Sequence, residues 1–199
     1  MLGPEGVTRA VYTNATEQLP ARVAELRARY GASVAELPDF VKVYPDEINA
    51  LSIERFPALA VVIPATVSTR SNSARQTDID AAYEEYSYRY NVQLYAYAMD
   101  STTAATSRAI KRYTLAVREA FLASKVLPTP DTDRAEVDPG TIVESYSELD
   151  KRDNKFIAAS VVQFEVVTHE RLFFPARFGE TPADVTVGAG LDQHPYFAE

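Results

Sequence analysis

The sequence predicts an α+β domain: a mixed or antiparallel β-sheet packed by an N-terminal helix and by one long helix following the central strand, with an extended C-terminal tail. Three patterns carry that expectation. Leu19, Val23, Leu26 and Tyr30 recur at helical spacing. Tyr86 to Met99 alternates strictly, with Tyr86, Tyr88, Tyr90, Val92, Leu94, Ala96 and Ala98 on one face. Ser87, Arg89, Asn91, Gln93, Tyr95, Tyr97 and Met99 take the other, as in a half-buried strand whose first face is core. Directly afterwards Ile110, Tyr113, Val117 and Phe121 return to the helical period.

Along the chain, the first helix closes at Gly31, where a helix C-terminus favours φ > 0. Val7, Ala10 and Val11 carry its start back before residue 10, and Pro20 either kinks it or opens a second helix. Pro38 to Pro57 reads as irregular, with a short strand around Phe40 to Val43 and a helical turn near Glu47 to Ile53. Ala58 to Ile63, stopped by Pro64, reads as a strand buried on both faces. Ser68 to Asp80 is almost wholly small and polar, too poor in apolar area to offset its ordering entropy, and is expected to be a mobile loop between two strands.

Asp100 and Ser101 are N-cap types ahead of the long helix, which is expected to run to Lys125. Thr129 to Gly140 reads as a connector with turn chemistry at Asp138-Pro139-Gly140. Ile142 to Leu149 and Phe156 to His169 read as strands joined by the charged loop Asp150 to Asn154. In the second of these, Phe156, Ala158, Val162, Phe164 and Val166 share one face. Beyond Arg171 the periodicity is lost. The expectation is a single domain over residues 1–170 and an extended arm over residues 171–199.

Composition narrows the function. The formal charge of -8, from 28 acidic and 20 basic residues, opposes bulk attraction to nucleic acid or anionic lipid. The absence of cysteine excludes disulfides and thiolate sites. No stretch approaches the roughly 18 consecutive apolar residues of a membrane span, and Met1 to Gly6 has no signal-peptide pattern. A soluble, unprocessed chain without membrane association is expected.

Neither histidine, His169 or His194, has a clustered partner. The pairs Asp78/Asp80, Glu84/Glu85 and Asp131/Asp133 fall in predicted loops or strand starts and read as solvated charge, not as carboxylates facing across a cleft. Phosphate-binding glycine loops and nucleophile motifs are missing. No catalytic, cofactor-binding or metal-ligating residue is assigned, and no cofactor or enzymatic activity is expected. The rival from another class is a hydrolase using the acidic pairs with His169.

Two surfaces stand out instead. Lys111, Arg118 and Lys125 recur every seven residues beside Arg108 and Arg112, either as a solvated helix face or as a complement to an acidic neighbouring subunit. Tyr95 and Tyr97 lie opposite the core face, with Arg89 the only cation in the strand. That balance favours contact with a subunit or a covering helix over the stacking of nucleic-acid bases.

The order of these elements matters together. Leu19-Pro20-Ala21-Arg22 and Leu26-Arg27-Ala28-Arg29-Tyr30-Gly31 lie on the N-terminal helix, followed by a Pro-rich stretch. Then come the Phe56-Pro57-Ala58-Leu59-Ala60-Val61-Val62 strand, the strand-to-long-helix unit and a final hairpin. Over roughly residues 5 to 170 this layout resembles the tail terminator proteins of long-tailed, siphovirus-like bacteriophages, the actinobacteriophage type.

The resemblance implies a virion subunit that forms a hexameric ring on the end of the tail tube. Such a ring stops tube polymerisation, joins the tail to the head-completion proteins of the neck, and lets genomic DNA pass through its lumen without specific binding. It also implies tube or subunit contacts through Arg70, Arg75 and Gln76 of the polar loop. Phe173, Phe174 and Phe178 would anchor the arm, alongside Tyr95, Tyr97, Arg108, Lys111 and Arg118. Another head-to-tail connector of the neck shares the size, acidity and lack of visible chemistry, and stays open beside this reading.

Overall fold

The computed structural model describes residues 3–46, 48, 52–70, 83–129 and 134–173. The N-terminal stripe forms one helix, α1 (Gly3–Tyr30), with Pro20 inside it. Of the two expectations for that proline, the second-helix start does not hold. Pro20 has no N–H to offer the carbonyl one turn earlier, and burial of Val11, Ala15, Leu19, Val23 and Leu26 on both sides of it holds the helix together. Gly31 adopts φ 61°, and the Ala32 amide donates to the Arg27 carbonyl at 2.9 Å, so the chain leaves the helix through a left-handed cap.

Seven further elements follow: β1 (Lys42–Tyr44), β2 (Ala58–Arg70), β3 (Tyr83–Asp100), α2 (Thr103–Ala123), β4 (Arg134–Tyr146), β5 (Asp150–Arg152) and β6 (Lys155–Phe173). The strands form one six-stranded sheet in the order β1-β2-β3-β6-β4, with β5 also paired to β6. β1 runs parallel to β2 and every other pairing is antiparallel, which makes the sheet mixed. α1 packs on β1 and β2, and α2 on β3, β6 and β4, so the fold is α+β with both helices on one face.

Several expected boundaries move, each for a physical reason. β2 does not stop at Pro64 but continues to Arg70, with a register shift between Val62 and Ala65. A bulge accommodates a residue that cannot donate to the ladder. Ser68 to Arg70 therefore belong to a strand and not to the predicted loop, of which residues 71–80 lie outside the described region. The same thing happens at Asp138-Pro139-Gly140, expected in a connector. It sits inside β4, where the register shifts between Asp138 and Val143. The charged loop shrinks to Asp153-Asn154, because Asp150 to Arg152 pair with β6 and Asp153 makes the turn at φ 54°. β1 begins two residues later than predicted. β6 runs on to Phe173, which pairs with Tyr83.

The core lies between the helices and the even-numbered face of β3 and β6. Tyr90, Val92, Leu94, Ala96, Val162, Phe164 and Val166 are buried there, as the alternation predicts. Phe121 of α2 meets Phe164 with ring centroids 4.9 Å apart. Phe40 meets Tyr113 at 4.8 Å, while the Tyr113 hydroxyl donates to the Pro38 carbonyl at 2.7 Å. One polar pair crosses this layer: the Thr114 hydroxyl donates to Ser160 Oγ at 2.7 Å, so neither buried oxygen lacks a partner. The cap of α2 is Thr102, whose Oγ1 accepts from the Ala105 amide at 3.2 Å. Neither Asp100 nor Ser101, the expected cap types, holds that position, and Asp100 instead accepts from the Ser101 amide. Among the described residues, no helix is long and apolar enough to cross a membrane.

Phe164 is fully buried between the helix layer and the sheet. Phe164→Ala should lower unfolding free energy by about 3–5 kcal/mol, read as a reduced urea midpoint. Val34→Ala, at a site 63% exposed, should change it by less than about 0.5 kcal/mol.

Candidate interaction surfaces

The face of the sheet away from the helices is built from the odd register of β3 and β6, and the residues there are mostly polar. Ser87, Arg89, Asn91, Gln93 and Tyr95 stand beside Val161, Gln163, Glu165 and Val167, all half-buried. Gln93 Nε2 donates to Gln163 Oε1 across the strands at 3.3 Å, and the Tyr95 hydroxyl donates to Gln93 Oε1 at 2.7 Å. Arg89 Nη1 donates to Glu165 Oε2 at 2.7 Å and to Asp138 Oδ2 at 3.2 Å. The bulge in β4 brings Asp138 within reach. The Thr141 hydroxyl donates to the Asp138 carbonyl and accepts from the Glu165 amide, both at 2.8 Å.

Hydrogen bonds from Arg89 first to Glu165 and then to Asp138 raise the guanidinium pKa above its ordinary value. The single cation of β3 thus has its charge answered by two carboxylates. A surface meant to stack bases would leave that cation facing phosphate.

At the far end of the same face, the two tyrosines of the expected interface separate. Tyr97 is only 7% exposed and packs with Ile53, Ala58 and Ala60. Tyr44, Ile48, Phe56 and the half-buried Tyr95 surround that cluster. Arg152 ties the cover down, with Nη1 donating to the Ile53 carbonyl at 3.0 Å. The expected contact at Tyr97 is therefore made within the chain. An irregular segment covers it, where a helix or a neighbouring subunit was anticipated, and Tyr97 offers a partner almost no area.

The basic stripe divides as well. Arg112 lies 4.9 Å from the Tyr30 ring, and with Arg108 it stands close enough to Glu36 to help lower that carboxyl's pKa. The larger cause there is hydrogen bonding from the Ser33 amide and hydroxyl. On the opposite flank of α2, Arg118 Nη1 donates to Glu144 Oε1 of β4 at 2.9 Å, and the Tyr146 hydroxyl donates to Glu144 Oε2 at 3.0 Å. Lys111 on this flank is exposed, as is Lys125, which falls outside α2 because the helix ends at Ala123, short of the expected Lys125.

The open edge of the sheet runs beside them. The first half of β4 is covered, since the Leu127 amide donates to the Ala135 carbonyl and the Val137 amide to the Lys125 carbonyl. Past the bulge, Val143 and Tyr146 are 61% and 49% exposed, and β6 is the one strand paired with this half among the described residues.

Of the other predicted contacts, Arg70 closes β2 opposite Ser87 and Phe173 closes β6 opposite Tyr83. Arg75, Gln76, Phe174 and Phe178 lie outside the described residues, as do Asp78, Asp80, Asp131, Asp133 and His194. His169 is exposed, and its neighbours across the strands are Ser87 and Arg134. Among the described residues, no group of three or more His, Asp or Glu side chains is placed to hold a metal ion.

One buried group escaped the sequence reading. Glu170 is 1% exposed on the helix side of β6. Its Oε1 accepts from the Tyr90 hydroxyl at 3.0 Å and from the Thr168 hydroxyl at 2.8 Å, and its Oε2 accepts from the Gly3 amide at 3.5 Å. The carboxylate thereby ties the start of α1, with its partial positive charge, to the end of the sheet. Parity was the available signal, because the even register of Phe164 and Val166 continues through Thr168 to Glu170.

Neither a known protein-family model nor a curated protein matches the chain.

Burial, then the charge of Glu170, pushes the Tyr90 phenol well above its ordinary value. A folded-state pKa above the unfolded value means that this contribution to stability is intact below about pH 10 and is lost as pH rises beyond it. Denaturation curves from pH 7 to 11.5 should show that alkaline loss. Tyr90→Phe should cost about 1–3 kcal/mol at neutral pH by removing a donor from a buried carboxylate, and should make the alkaline loss smaller.

Proposed function

We propose that this chain is a structural ring subunit, the tail terminator of a long-tailed bacteriophage. It caps the tail tube, stops its growth and joins it to the head-completion proteins. The observation that carries the reading is the half of β4 that no described residue covers. Natural sheets cover or charge their edges to avoid unwanted pairing, and this chain covers residues 135–137 while leaving Val143 and Tyr146 exposed. An edge half that no described residue covers, with Val143 and Tyr146 exposed, fits a subunit whose partner completes it.

The layout described by the resemblance supplies the rest of the proposal. Six copies close into a ring in the virion, and DNA passes through the lumen. The acidic balance of the chain suits a channel wall that does not clamp phosphates.

Light scattering on the purified chain and negative-stain imaging with tail tubes test this reading. The expected result is a hexamer, alone or on docking, seated at tube ends and limiting tube length. Rings bound to portal-side neck proteins and never to tubes would replace the terminator with another connector. A monomer that binds neither would overturn both.

A further inference from the structure

The bare half of β4 is a short strip, and a stable protein interface buries roughly 1,200–2,000 Å². Pairing along Thr141 to Tyr146 needs additional surface to reach that range. The strip has a definite character. Among the described residues its backbone edge is open; Val143 is exposed on the polar face, opposite Gln163, and Tyr146 on the helix face, opposite Ser160, where Leu122 of α2 is 38% exposed. Lys111 and Arg118 run along the same flank of α2, and Lys125 follows beyond its end. An occupant should be an extended segment with apolar positions and acidic charge.

The chain contains one. Residues 174–199 carry a single arginine, Arg177, against Glu180, Asp184, Asp192 and Glu199. Within them Asp184-Val185-Thr186-Val187 is a β-branched run bounded by Pro182 and Gly188, the composition of a short strand between turn residues. Fully extended, the stretch from Phe173 to Asp184 reaches about 35 Å. A sheet five strands wide measures about 20–25 Å, so the arm can step onto an adjacent copy. Residues 125–127 already occupy the outer edge over the first half of β4, which leaves residues 141–146 as the place where a strand can add.

We infer that residues 183–187 of one copy add as a strand to the open half of β4, residues 141–146, of the neighbouring copy. Main-chain hydrogen bonds supply the pairing, as in other cases of strand addition; Val185 and Val187 share the face of Val143, and Asp184 and Thr186 share the helix face with Tyr146. Asp184 of the added strand faces Lys111 and Arg118 of α2. This inference rests on the self-assembly proposed above and names the contact that links the copies.

The chain has no cysteine of its own, which permits a direct test. A full-length chain carrying Val143→Cys is mixed with one carrying Val187→Cys, alone and on tail tubes, and treated with a short bismaleimide. Crosslinked dimers containing one of each chain are expected. Val185→Asp with Val187→Asp in the full-length chain should weaken assembly at least tenfold while leaving the far-UV spectrum unchanged. If rings form normally with both aspartates present and the mixed crosslink is missing, the arm contact is overturned while the ring reading stands. Crosslinks confined within single chains of a protein carrying both Val143→Cys and Val187→Cys would overturn the exchange between copies. A wild-type chain that stays monomeric in both settings removes the inference together with the assembly it rests on.

Discussion

The pairing of β3 with β6 is the constraint from which the rest of the structure follows. Every residue from Tyr83 to Asp100 has a partner on β6, running without a shift from Tyr83 opposite Phe173 to Asp100 opposite Phe156. A one-residue slip would turn Val92, Leu94, Val162 and Phe164 away from the helices and bury Arg89, Gln93, Gln163 and Glu165 in their place. The apolar face resists that slip from one side. The Gln93–Gln163 and Arg89–Glu165 contacts resist it from the other.

The helices depend on that register. α2 returns across the sheet directly after β3 and sets Phe121 against Phe164 and Thr114 against Ser160. α1 packs beside it, with Arg29 Nη1 donating to Glu119 Oε1 at 2.7 Å. Its first turn is held by Glu170, a carboxylate that could be buried only because two hydroxyls and an amide serve it. One face of the sheet is thus committed to the chain's own core. The other face keeps a polar surface, covered near Tyr97 by the segment around Ile53 and Phe56.

The edges are treated differently from the faces. The bulge at Asp138 divides β4 into a half sealed by residues 125–127 and a half that is not. Bending the strand there also delivers Asp138 to Arg89. A single irregularity therefore serves the polar face and marks off the strip on which assembly is proposed.

What the sequence determined by itself is periodic and local: the two helical stripes, the alternation of β3, its core face, the Gly31 cap and the α+β class. Each of these rests on neighbours a few residues apart, so they are legible without a fold. The tertiary structure decided whatever depends on segments brought together from a distance. Pro64 and Pro139 read as breaks, yet both sit inside strands, because pairing with β3 and β6 on either side of the bulges outweighs one missing donor. Tyr97 read as a contact for a subunit or a covering helix, and the segment containing Ile53 makes that contact instead. The basic stripe read as one surface until α1 and β4 took opposite flanks of α2. Glu170 is buried where Tyr90 and the start of α1 are brought to it from distant parts of the chain.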